Sequence, residues 1–224
     1  MIKALVLLAL LPGLALAQDR HGGSGHDATV RHDFDDIEKY VERFENPERD
    51  TWQKPVAVLD ILGVAEGEHV ADLGAGTGYF TSRLSVAVGR TGQVYAVDIA
   101  PAMLEYIQQR DDITLPNVET ILADPDDPKL PEGELELVLV VNTWHHIDDR
   151  LNYLKRLRGS LLKSGRVAVI DFREGELPVG PPAGTKLSRE AVIAEFEKGG
   201  WTLGSESVVL QYQYFLIFHP PKQN

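Results

Sequence analysis

The sequence predicts an α/β fold, with a mostly parallel sheet, helices on both faces and an antiparallel hairpin at the C-terminal end. Three observations predict it. Short apolar segments alternate with amphipathic ones at the rhythm of strand-helix-strand units. The stretch Val70 to Phe80 runs from an apolar strand through three glycines into a helix, and two strand-like segments close the chain.

Taken in order, His69 to Leu73 is the first strand and puts Asp72 near its carboxyl end. Gly74, Gly76 and Gly78 then let the backbone turn sharply and approach a ligand with no Cβ in the way. The dinucleotide pattern G-x-G-x-x-G fails at Tyr79, and a phosphate loop ending in Gly-Lys-Ser/Thr is absent. Gln93 to Asp98 reads as a second strand ending in an acid, followed by Ile99 and a helix opened by Pro101. Asn117 to Asp124 repeats the pattern, with Pro125 next. Leu135 to Val141 is apolar almost throughout, as expected for a parallel strand covered on both faces, and ends at Asn142-Thr143-Trp144-His145-His146.

A helix carrying Leu151, Leu154, Leu157 and Leu161 follows, then Lys163-Ser164-Gly165 and a fifth strand from Arg166 to Asp171. Asp171, which ends that strand before Phe172, is a further candidate site acid, and solvent exposure or helix capping explains it equally well. Ser188-Arg189-Glu190 opens a helix reaching Lys198, and Gly199-Gly200 stops it. Ser207 to Gln211 and Tyr214 to His219 read as the closing hairpin, with Tyr212 and Tyr214 as core or edge residues. The right-handed crossover rule leaves few other ways to wind such a chain.

An acid followed by G-x-G-x-G, with acids at the next two strand ends, resembles the class I S-adenosylmethionine-dependent methyltransferases over about residues 53 to 219. The resemblance implies a Rossmann-like, seven-stranded sheet and S-adenosyl-L-methionine as cofactor. It also implies a donor site built from Asp72, Gly74, Ala75, Gly76, Gly78, Asp98, Ile99, Asp124, Pro125 and Asn142. Within that site Asp98 accepts from both ribose hydroxyls, Ile99 packs on the adenine, and Asp124 reads the adenine amino group. The implied activity is methyl transfer to a small-molecule acceptor by in-line displacement. The alternative is an exported binding or scaffold protein that keeps the fold without catalysis.

His145 and His146 stand where the acceptor should lie, and an imidazole titrating near neutrality suits a base. Consecutive strand residues point opposite ways, so at most one is expected to face the pocket, a buried hydrogen-bonded histidine being the other reading. Asn142 is followed by Thr143-Trp144, so the Pro-Pro-aromatic pattern of nucleobase amino-group methylation is missing.

Residues 1 to 17 form a short basic start, an apolar run and the small-x-small sequence Ala15-Leu16-Ala17, the pattern of a cleaved signal peptide. The expected location is therefore periplasmic or secreted, with no stable membrane insertion after cleavage. Residues 18 to 32 are a disordered Gly/His-rich tail in which His21, His26 and His32 are too irregularly spaced to expect a metal site. Residues 33 to 52 form an N-terminal helical cap. Its helix, Asp33 to Glu45, carries Phe34, Ile37, Tyr40, Val41 and Phe44 in a stripe and ends before Pro47. By the resemblance it closes the cofactor pocket, although a helix packed on the sheet carries the same stripe. Arg49, Asp50, Trp52 and Gln53 follow, at the pocket mouth or in ordinary surface and core roles.

A net charge of −12 disfavours nucleic acid and anionic surfaces, since binding them relies on clustered Lys and Arg. The absence of cysteine excludes disulfides, thiolate zinc sites and thiol-mediated methyl transfer. Mass spectrometry of the exported fraction is expected to find a mature chain starting at Gln18; an intact Met1 retained in the cytosol contradicts the export reading.

Overall fold

The computed structural model describes residues 37 to 222 apart from Leu115. The segments read as a signal peptide, a Gly/His-rich tail and the start of the cap helix, including Phe34, lie outside the described residues.

The chain enters through three helices, α1 (Ile37–Phe44), α2 (Arg49–Gln53) and α3 (Pro55–Leu62). It then alternates β1 (His69–Leu73), α4 (Tyr79–Val88), β2 (Gln93–Asp98), α5 (Pro101–Gln108), β3 (Val118–Leu122) and β4 (Leu135–Val141). It finishes with α6 (Arg150–Ser160), β5 (Leu161–Phe172), α7 (Arg189–Lys198), β6 (Thr202–Ser207) and β7 (Gln213–His219). The seven strands form one sheet in the order β3-β2-β1-β4-β5-β7-β6. The pairs among β1 to β5 are parallel, while β7 runs antiparallel between β5 and β6. This is the seven-stranded Rossmann-like arrangement, mostly parallel with an antiparallel C-terminal end. The order reverses at β1 and β4, and a crevice beyond the carboxyl ends of strands at such a point is where α/β sheets take ligands.

Alternation along each strand divides the core in two. Val138, Val140, Val167, Val169, Tyr214, Leu216 and Phe218 face α6 and α7, meeting Leu154, Leu157 and Phe196. Val70, Leu137, Leu139, Ala168, Ile170 and Phe215 face α3 and α4, meeting Val58, Phe80 and Leu84. Two side-chain caps start the helices on the first face: Asp149 accepts from Asn152 N at 3.2 Å, and Ser188 from Ala191 N at 3.0 Å.

Four boundaries differ from the sequence reading. The sixth strand is Thr202–Ser207 instead of Ser207 to Gln211: the apolar run leaves Val208 83% exposed in a loop, and the strand is the polar segment just before it. An edge strand needs only one buried face, so hydrophobicity does not mark it. β5 begins at Leu161, through an irregularity opposite Leu135 to Leu137, and Leu161 is a strand residue instead of the last helical leucine. β3 ends at Leu122, two residues short of Asp124, which bridges to Asp127. Trp144–His146 is a 3₁₀ turn, so strand alternation does not govern the two histidines.

Phe196 is fully buried and stacks on Phe218 with ring centroids 3.9 Å apart. Phe196→Ala is expected to cost about 3 to 5 kcal/mol in chemical denaturation, against a negligible change for Val208→Ala; comparable effects at the two positions contradict this packing.

Candidate functional site

The glycine loop is held by its neighbours on β2. Gly74 N and Ala75 N both donate to Val97 O, at 2.8 and 3.0 Å, and Gly76 N donates to Asp98 Oδ2 at 2.8 Å. Gly74 has φ +74°, and a Cβ there would meet Thr143 Oγ1 at 2.1 Å, so only glycine lets the loop lie against the segment leaving β4. A Cβ at Gly76, φ +54°, would meet the Phe44 ring at 3.5 Å, an ordinary contact, so the end of α1 borders the loop there. The turn closes at Gly78, which caps α4. Ala75 turns its side chain into the packing around Leu104 and Ile107 of α5.

Asp98 accepts from Gly76 N through one oxygen and from Ala100 N at 2.9 Å through the other. Burial raises its pKa, while the amides of Ala100, Gly76 and Ile99 oppose the shift by stabilising the ionised form. Ile99 is 56% exposed, an apolar side chain left open at the strand end. Ala123 N donates to Asp98 O at 3.0 Å, so the β3 exit lies beside this acid. Asp124 and Pro125 are exposed there, with Asp124 paired to Lys129 Nζ at 3.0 Å.

Asp72 is buried and accepts from Thr81 Oγ1 at 2.7 Å, locking β1 to the first turn of α4. Burial pushes its pKa up to about 6, against the pull of Thr81 and Arg49, with Asp98 adding to the rise. Arg49, from α2, lies over the Tyr79 ring at 3.7 Å and donates through Nη1 to Phe44 O at 2.9 Å. Its Nε is buried without a hydrogen-bond partner, and desolvation lowers its pKa to about 10. Tyr79 in turn bonds Asp50 through its hydroxyl.

The end of α1 lies over the loop. Glu45 Oε1 accepts from Thr77 Oγ1 at 2.5 Å and pairs with Arg110 Nη1 at 2.7 Å, which also donates to Thr77 O at 2.9 Å. No described residue of α1 is buried, so contacts at its C-terminal end hold it in place. The same Glu45 and Arg110 form part of a cleft of about 800 Å³ along the outer surfaces of α3 and α4. That cleft contains none of the strand-end acids and lies outside the cradle.

On the other flank, Asn142 takes φ +56° directly after β4, an unusual conformation for a non-glycine residue. Its Oδ1 accepts from Gln213 Nε2 at 2.7 Å, and Gln213 Oε1 accepts from Gln53 Nε2 at 2.7 Å, so α2 and β7 fix the β4 exit. His145 is buried with Nδ1 2.7 Å from Asp171 Oδ2, while His146 is exposed and its ring lies 4.0 Å from that of His145. Asp171 is 1% exposed, which overturns its reading as a surface or capping residue.

The structure thus gathers the glycine loop, Asp72, Asp98, Ile99 and the β3 exit on one side of the crevice, and Asn142 with the histidines on the other. Gln213 and the His145 partnership with Asp171 escaped sequence reasoning. Both are contacts between residues far apart in the chain, and no local pattern marks them.

This sheet order, with an acid and glycine loop after β1 and an acid ending β2, defines a class I S-adenosylmethionine-dependent methyltransferase domain. Residues 70 to 165 match a family model described as a methyltransferase domain, and the chain carries a domain of this kind, whose cofactor is S-adenosylmethionine. It is 31% identical over 141 residues to the aklanonic acid methyltransferase DauC of Streptomyces sp. (strain C5), a match covering 61% of this chain and 63% of that protein. It is 28% identical over 154 residues to the demethylmenaquinone methyltransferase of Staphylococcus aureus (strain JH9), covering 67% and 63%. The chain therefore spans a little under two thirds of the length of these curated relatives. A SAM-dependent methyltransferase structure from Aquifex aeolicus superposes with a TM-score of 0.76 at 28% identity, covering 82% of this chain and 97% of its own.

The raised pKa of Asp72 has a definite sign. The folded state binds this proton more tightly than the unfolded chain, so the associated stability is present at low pH and is lost as pH rises through about 6. Relative to Asp72→Asn, the wild type is expected to lose about 2 kcal/mol between pH 4 and pH 7. Denaturation curves at the two pH values test this, and a pH-independent difference contradicts it.

Proposed function

We propose that the domain transfers the methyl group of S-adenosylmethionine to a small-molecule acceptor by in-line displacement. The observation that carries the reading is the cradle itself: the Asp98 carboxylate fixed by the Gly76 amide, with a buried arginine whose Nε has no partner lying over Tyr79, the residue that follows the glycine loop. The residues present fit the donor. Asp98 is oriented to accept from ribose hydroxyls, Ile99 offers an apolar bed for the adenine, and Asp124 lies at the adjacent strand exit.

Arg49 is assigned the donor's carboxylate. A buried guanidinium with an unpaired Nε carries a desolvation cost that an added carboxylate offsets through charge-assisted hydrogen bonds. Asp72 and Glu45 supply the nearby negative charge that keeps Arg49 ionised before the donor arrives.

Bound in this cradle, S-adenosylmethionine supplies a sulfonium methyl that is already electrophilic. The protein's contribution is alignment: an acceptor atom held about 3 to 3.5 Å from the methyl carbon, in line with the bond that breaks. Thr143 against Gly74 and the Gln53-Gln213-Asn142 chain hold the β4 exit at that flank. His145 or His146 supplies a base when the acceptor is protonated. Trp52, partly exposed and packed 5.7 Å from the buried Phe172, offers aromatic surface for a ring acceptor of the kind named for the curated relatives.

Incubation with methyl-labelled S-adenosylmethionine and a panel including aklanonic acid, demethylmenaquinone and simpler phenols is expected to yield labelled product and S-adenosylhomocysteine. Arg49→Met is expected to raise the donor KM at least tenfold. A panel that stays unlabelled, or an unchanged KM, contradicts the reading.

A further inference from the structure

We propose that Asp171 is a positioning residue that fixes His145 as the base of the transfer, and that the acceptor group is a hydroxyl that arrives protonated. This deepens the methyl-transfer reading and rests on it. The pairing is buried and short: His145 is 8% exposed, Asp171 is 1% exposed, and Nδ1 lies 2.7 Å from Oδ2. The other oxygen of Asp171 accepts from Phe172 N at 2.8 Å, so the carboxylate cannot rotate away without losing a second bond. A carboxylate accepts and does not donate, so the Nδ1 position carries the imidazole proton and Nε2 is the bare nitrogen. No described group bonds that Nε2.

Position agrees with this role. Val141 of β4 pairs with Ile170 of β5, so the turn bearing His145 and the strand end bearing Asp171 are neighbours at the carboxyl edge of the sheet. Thr143, two residues before His145, packs on Gly74 of the donor loop. The groups around the pair are His146 beside the imidazole, Tyr214 across the β5-β7 register from Asp171, and Glu174, Glu195 and Arg150 acting on that tyrosine. Burying an aspartate costs several kcal/mol unless it is well bonded, and here both of its oxygens are bonded, one of them to His145.

The chemistry then selects the acceptor. A carboxylate already carries its nucleophilic pair, and a neutral amine attacks through its lone pair, so neither gains much from a base. A hydroxyl does. Its O–H bond breaks with the proton passing to Nε2, and the oxygen pair left behind forms the O–C bond. The C–S pair withdraws onto sulfur, leaving a methyl ether, S-adenosylhomocysteine and a protonated His145. The proton then leaves to solvent.

The test uses the whole protein, S-adenosylmethionine and two phenols: 4-methylphenol, protonated at neutral pH, and 4-nitrophenol, largely ionised at pH 8. For Asp171→Asn the methylation rate of 4-methylphenol is expected to fall about 10²- to 10⁴-fold, to recover as pH rises, and to be partly restored in Asp171→Glu. With 4-nitrophenol the loss is expected to stay below about tenfold, and calorimetric donor affinity to stay at the wild-type value. In the protein without donor, ¹⁵N spectra are expected to show the Nδ1-protonated tautomer of His145 in the wild type and its loss in Asp171→Asn. Equal losses on both phenols, an unchanged rate, the opposite tautomer, or no transfer to either phenol by a protein that binds the donor each overturn the assignment. Failure of the wild type to bind the donor overturns the methyl-transfer reading itself, and so is distinguishable from failure of the Asp171 assignment alone.

Discussion

The site depends on one carboxylate placed between two backbone amides. Asp98 ends β2, holds Gly76 of the glycine loop through one oxygen and starts the turn into α5 at Ala100 through the other. The acid thereby sets the distance between two consecutive strand exits before any ligand is present. Charge-assisted hydrogen bonds of this kind are about twice as strong as neutral ones, and they oppose the desolvation that favours protonation of Asp98. The same parallel register that places Asp98 beside Leu122 brings the β3 exit alongside, so one strand end organises the half of the crevice proposed for the adenosine.

Buried charge organises the other half. Arg49 of α2 and Asp72 of β1 are each shifted by desolvation toward neutrality, and each is partly sustained by the other. A dry pair of opposite charges with an unpartnered guanidinium nitrogen is poorly compensated by itself. In the proposed function the carboxylate of the donor supplies the missing compensation. Glu45 extends this logic to α1, because the carboxylate that ties the helix to Thr77 and Arg110 also contributes to the field at Arg49. Closure of the cap and the charge balance of the cradle are thus linked through one residue.

Much of this was legible in the sequence because it is local. β1, β2 and β4 fall at His69–Leu73, Gln93–Asp98 and Leu135–Val141 as read, since buried parallel strands are continuous apolar runs bounded by glycine, proline or acids. The glycine loop was legible for the same reason. What could not be read is where the fold joins distant residues or exposes a strand. β6 hides in the polar segment Thr202–Ser207, and Val208 imitates a strand in the adjoining loop. Asp171 resembled a surface acid until β4 and β5 paired and carried His145 to it. Gln213 carried no signal, because its meaning comes from Gln53 and Asn142 on other elements.

The central claim is that this crevice is built for an adenosine-bearing donor and that Asp98 is its anchor. Calorimetric titration with S-adenosylhomocysteine tests it most directly, comparing the wild type with Asp98→Ala. The account predicts micromolar binding by the wild type and a loss of about 1.5 to 3 kcal/mol for each ribose hydrogen bond removed, at least a tenfold weaker constant. No binding by folded wild-type protein, or equal affinity in the two, contradicts it.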